Sequence, residues 1–164
     1  GALTPMPFLL ARPVFNSQFK SSSLTECCLP WPKKDKPEDI RKLADTTIRI
    51  GNEAGMRVVP VGLAFMEAIR QKPDLEMYMP DKSHPSMAGT YLYAAVLYAS
   101  LFGRTPEAIP YLGECEKPLP EETAAFLRGV AWKTVKDFYA FTKDSFTLEN
   151  YRYHPFDFEI PMAI

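Results

Sequence analysis

The chain has 164 residues, 46% of them apolar and 24% charged, with a net charge of -1 at pH 7. This is globular composition, long enough for one domain with a core. The balanced charge argues against a nucleic-acid partner, which needs a basic surface to displace counterions, and no apolar run approaches the length of a membrane span.

The opening GALTPMPFLLARP lacks the positive n-region of a signal peptide. Within it, PFLLARPVF (7–15) is a short apolar run and reads as a buried strand. Residues 16–36 are rich in Ser, Pro and Lys and read as a long loop, a class that is usually functional or mobile. Pro37, with Glu38 and Asp39 behind it, starts a helix. Ile40, Leu43, Thr47 and Ile50 follow at helical spacing, and Gly55 is placed to close it. Arg57 to Val61 (RVVPV) reads as a second strand. A helix over Leu63–Gln71 offers Phe65, Met66 and Ile69 to the core.

Residues 81–86, DKSHPS, form a charged, turn-rich knot. An apolar helix over about 86–103 follows, hydrophobic around most of its girth and so buried on more than one side. Gly103 ends it and Pro106 prevents its return. A last helix starts near Pro120 or Glu121, with Ala124, Leu127, Ala131, Val135 and Phe138 as its inward stripe. The tail from Thr147 to Ile164 reads as extended and packed on the body. Alternating strands and helices with apolar strands indicate an α/β domain with a parallel sheet. Two good strands are too few for such a sheet, so 1–164 reads as a single domain of which only the C-terminal half is present.

The three cysteines, Cys27, Cys28 and Cys115, show no metal-ligand spacing and no disulfide framework. They read as free thiols, with a bridge from Cys115 to one of the pair open in an oxidising compartment. The two histidines have no zinc-enzyme spacing. His154, which could pair with Asp157, reads as part of an aromatic packing tail.

Asp81 and His84 carry the chemistry. Pro85 keeps His84 out of the helix, and a separation of three across a turn lets the carboxylate reach the imidazole. A carboxylate on one ring nitrogen leaves the other free to take a proton, which is the base half of a nucleophilic hydrolase. The competing reading is a surface turn that caps the helix through Ser86.

The block PDLEMYMPDKSHPSMAGTYLYAAVLYASLFGRTPE resembles the C-terminal catalytic block of the SGNH (GDSL-type) hydrolases. Asp81, His84, Pro85, Ser86 and Gly89 match that family's Asp-x-x-His-Pro-Ser and following Gly. VVPVGLAF (58–65) is similar to the strand and turn before the block, and AAFLRGVAWKTV (124–135) to the closing helix of one bacterial branch. The likeness runs over 37–139. It implies a flavodoxin-like α/β/α sandwich that hydrolyses esters through a serine, with His84 as general base and Asp81 orienting it. It implies no metal or cofactor, a small ester substrate such as a glycan acetyl ester, and a periplasmic or secreted setting.

The family also uses a Gly-Asp-Ser nucleophile and a Gly and an Asn in the oxyanion hole. No Gly-Asp-Ser and no Gly-x-Asn-Asp occurs in this sequence. Ser17, Ser21 to Ser23, Asn16 and Asn52 lack the setting. The resemblance places PFLLARPVF at the strand after the oxyanion Asn, so the first half of the domain is expected elsewhere. This chain alone is then inactive, and a homodimer or a complementing chain covers its open sheet edge. In a completed site Phe15, Phe19 and Trp31 would line the substrate pocket or else tuck the loop onto the body, and Arg12 would face a substrate carboxylate or else be solvated or salt-bridged. The alternative function is a non-catalytic half-domain that assembles through that edge.

Overall fold

A computed structural model describes residues 26–54, 56–113 and 117–139. The strand read at 7–15, the tail, Arg12, Phe15, Phe19, Gly55, Cys115, His154 and Asp157 lie outside the described residues. The described chain is mixed α/β. Its elements are strand β1 (Glu26–Cys28), a 3-10 turn (Pro37–Asp39) leading into helix α1 (Ile40–Ala54), strand β2 (Arg57–Val59), and helices α2 (Val61–Gln71), α3 (Met87–Phe102) and α4 (Glu121–Tyr139). β1 and β2 pair in parallel, with Glu26 opposite Arg57, Cys27 opposite Val58 and Cys28 opposite Val59. Leu29 N–H to Val59 C=O (2.9 Å) and Gly62 N–H to Leu29 C=O (2.8 Å) carry the pairing past the strand ends.

Two readings change. The segment 16–36 is not all loop, because β1 lies within it. Three residues of Glu-Cys-Cys, closely followed by Pro30 and Pro32, carry no alternation that a pattern could detect. β2 stops at Val59, two residues early, because Pro60 has no N–H to give a ladder and instead stands at the N-cap of α2. Val61 therefore begins a helix, and Val61 to Ala68 are all buried.

α1 is rotated from the expected phase. Its inward face is Ile40, Ala44, Thr47 and Gly51, while Ile50 is 44% exposed. The face is small because it lies close on β2: a Cβ on Gly51 would stand 2.4 Å from Val58 Cγ2. α4 buries the expected stripe of Ala124, Leu127, Ala131, Val135 and Phe138. α3 packs against α4 and α2, and the core centres on Phe65, Leu92, Leu127 and Phe138. Each such fully buried side chain contributes about 1.5–3 kcal/mol.

Polar groups tie the sheet to the helices. Arg57, buried at the start of β2, donates Nη1 to Ser100 C=O of α3 (3.0 Å) and lies 3.7 Å from Glu26 Oε1. Burial lowers the pKa of Arg57 and raises that of Glu26. Tyr139 at the end of α4 donates its hydroxyl to Val58 C=O. Cys27 and Cys28 are free thiols. Among the described residues no helix is long and apolar enough to cross a membrane.

Candidate active site

The loop between α2 and α3 is a bridged turn. Tyr78 and Pro85 form an antiparallel bridge, Met79 N–H donates to His84 C=O (2.8 Å), and Ser86 N–H donates to Met77 C=O (3.0 Å). Residues 80–83 are its tip. Lys82 turns the corner at a φ of 61°, in the left-handed region, and its N–H reaches back to Met79 C=O (2.9 Å).

Asp81 organises the tip. Its Oδ1 accepts from Ser83 N–H (3.0 Å) and His84 N–H (2.9 Å), the geometry of an Asx turn. Its Oδ2 lies 2.5 Å from His84 Nδ1. An ionised carboxylate only accepts, so in the neutral imidazole the proton sits on Nδ1 and Nε2 keeps its lone pair. The His84 side chain is 74% exposed. Among the described residues no hydroxyl bonds to its Nε2.

The His84 hydrogen bond, then the two amides, hold the Asp81 carboxyl down at about 2, against an ordinary value of 3.8. A depressed folded value means that the pair's contribution to stability is complete above about pH 4 and fades as the pH falls toward about 2. Carbonyl carbon NMR should therefore show Asp81 titrating near 2, and removing the imidazole by His84→Ala should move that titration upward. An unchanged value in the variant would mean that the contact is not formed in solution.

The segment after β1 clamps this turn. Trp31 Nε1 donates to Ser83 C=O (2.9 Å), and Lys34 N–H donates to Lys82 C=O (2.9 Å). Tyr78 donates its hydroxyl to Pro32 C=O (2.9 Å), and burial, with the Glu76 charge second, pushes its pKa up to about 12, so it stays a donor. Lys34 Nζ meets Glu76 Oε2 at 2.5 Å, while Glu76 Oε1 accepts from Tyr78 N–H (3.0 Å). Asp81 and His84 are thus held at the carboxyl end of the parallel strands, the end where open α/β sheets place their ligands.

Trp31 is half-buried, stacked on Phe65 with centroids 4.7 Å apart and 10° between planes, and edge-on to Tyr93 at 6.3 Å. Its ring is engaged in fixing the turn. Trp31→Ala should cost about 2–3 kcal/mol in urea denaturation, below the range for a fully buried Trp, and should speed amide exchange at Ser83 and His84. Normal protection of those amides in the variant would contradict the clamp.

Ser86 is the N-cap of α3, accepting from Gly89 N–H (3.2 Å) and donating to Glu76 C=O (2.7 Å). Its hydroxyl is engaged in the cap, so the expected cap and the Asp81–His84 pair coexist in one turn. Gly89 has a steric reason. A Cβ there would lie 2.5 Å from Met77 O, 2.8 Å from Phe65 Cζ and 2.9 Å from Pro85 Cβ. Among the described residues no group of His, Cys, Asp and Glu could hold a metal ion. No family model, curated protein or solved structure matches the chain. Lys34 and Glu76, which no local pattern marks out, support the turn across separations of 42 to 52 residues, together with Trp31.

Proposed function

We propose that the chain supplies the acid–base half of a serine ester hydrolase of SGNH type, within a flavodoxin-like α/β/α sandwich. The observation that carries this reading is the Asp81–His84 contact at 2.5 Å, with Nε2 open to solvent. His84 would take the proton of a serine hydroxyl through Nε2 and return it to the leaving alcohol. Asp81 would hold the tautomer and stabilise the imidazolium. The serine and the oxyanion donors would come from residues outside 1–164, in the same or a complementing chain. Met79 (51% exposed) and Met87 (42%) flank His84 in sequence and offer apolar surface to the acyl or acetyl part of a small ester, such as a glycan acetyl ester.

The test is turnover of a short-chain nitrophenyl ester by the native protein, isolated with whatever chain accompanies it. Turnover is expected, and His84→Ala abolishes it. Absence of turnover, or turnover indifferent to His84→Ala, would reject the proposal. The rival reading is a non-catalytic assembly module. It is favoured by the fact that Asp81 Oδ1 and Ser86 complete the turn without the imidazole. It requires that neither the native protein nor His84→Ala turn over the ester.

A further inference from the structure

A cavity of about 410 Å³ opens between α3, α4 and the segment 106–113, within the size range of small-molecule sites. The exposure of its lining gives it a mouth and a floor. Thr90 and Ala94 on α3 are exposed and stand at the mouth, while Tyr91, Ala95 and Pro106 are buried and form the floor. Tyr98 and Tyr111 bring two further rings to the lining. Neither Asp81 nor His84 belongs to it.

These walls give water little to bond. The lining is overwhelmingly apolar, and among the described residues Arg128 is the one charged member of it. That charge is already answered. Arg128 Nη2 donates to Glu121 Oε1 (2.6 Å), and Nη1 donates to the Tyr91 hydroxyl oxygen (2.9 Å). The same hydroxyl donates onward to Tyr111 C=O (2.7 Å), so the phenol on the floor both accepts and donates within the protein. Water held against such a surface gives up hydrogen bonds, and an apolar solute that displaces it is favoured.

We propose that this cavity binds a small, neutral aromatic molecule. The volume sets the size of the occupant. A helix about 10 Å across would fill it within a single turn, so it fits one or two fused rings and not a docked element of another protein. Three tyrosine rings in the lining favour an aryl body, through stacked or edge-on contact. Neutrality follows from the charges. Glu121 compensates Arg128, so an anion or a cation entering the cavity would lose its hydration and find no counterion free to replace it. The site is independent of the hydrolase reading and stands or falls separately.

The experiment is an NMR titration of the isotope-labelled chain with 1-naphthol at neutral pH. Saturable shifts are expected along residues 87–98 and 109–113. 1-Naphthoate and 1-naphthylmethylamine carry the same rings with a negative or a positive charge. Each should bind at least about tenfold more weakly, because its charge leaves water unpaired. Ala94→Trp and Thr90→Trp each set a ring over the mouth from an exposed position. Each should abolish binding while the far-UV spectrum stays unchanged. No saturable shift with 1-naphthol, or shifts confined to other parts of the chain, would overturn the proposal. So would equal or tighter binding of either charged analogue, or binding that survives both tryptophan variants.

Discussion

On the proposed reading, Asp81→Asn should lower kcat on a nitrophenyl ester about ten-thousand-fold in the native protein, while the far-UV spectrum stays unchanged. The size is that of losing the orienting carboxylate in a serine hydrolase. The mechanism is specific to the geometry. An asparagine oxygen can still accept from the Ser83 and His84 amides, so the turn persists. At Nδ1 the carboxylate only accepts, whereas an amide that keeps its oxygen on the two backbone N–H groups turns its NH2, a donor, toward the ring. Where its NH2 faces the ring, the imidazole must carry its proton on Nε2, and a protonated Nε2 cannot act as a base. His84→Ala should cause a loss of similar size, and the double variant should be little worse than either, because the two act as one unit. A decrease of only a few-fold in Asp81→Asn would mean that the carboxylate merely shapes the turn.

Gly89→Ala should destabilise the fold by about 3 kcal/mol, the upper part of the usual range for overpacking. The added carbon would meet a backbone oxygen at 2.5 Å, a ring edge and a proline, and only the ring belongs to a flexible side chain. To relieve the clash the first turn of α3 must lift from the bridged strand at Met77, which breaks the Ser86 N–H to Met77 C=O bond. Gly129→Ala on α4 is the matched control. A Cβ there meets nothing within 4 Å, so the better helix former should stabilise by about 0.5–1 kcal/mol. Urea denaturation of both variants checks the pair. Equal and small effects would mean that the α3 start is looser than described.

What was legible in the sequence is what local chemistry determines. α3 was bounded within a residue or so because Pro85 and Ser86 start it and a left-handed Gly103 ends it. The Asp81–His84 pair was legible because three residues in a turn suffice to form it. β1 was not, since three residues pairing in parallel with a strand 31 positions on leave no periodic trace. The phase of α1 misled because its inward face is made small by the approach of β2, so the larger Ile50 points outward. The clamp on the 80–83 turn was invisible for a related reason. Trp31, Pro32 and Lys34 reach it through backbone atoms and a stacked ring, contacts made only when the chain has folded. Trp31, expected either at a pocket wall or tucking its loop onto the body, stacks on Phe65 and bonds to the turn that carries His84.

The most direct test of the central claim is fluorophosphonate labelling of the native protein, purified without denaturation, followed by identification of the labelled peptide. One labelled serine is expected outside residues 1–164, on this chain or on a chain that accompanies it, with labelling lost in His84→Ala. A protein that takes no label, or one labelled equally well without His84, would contradict it.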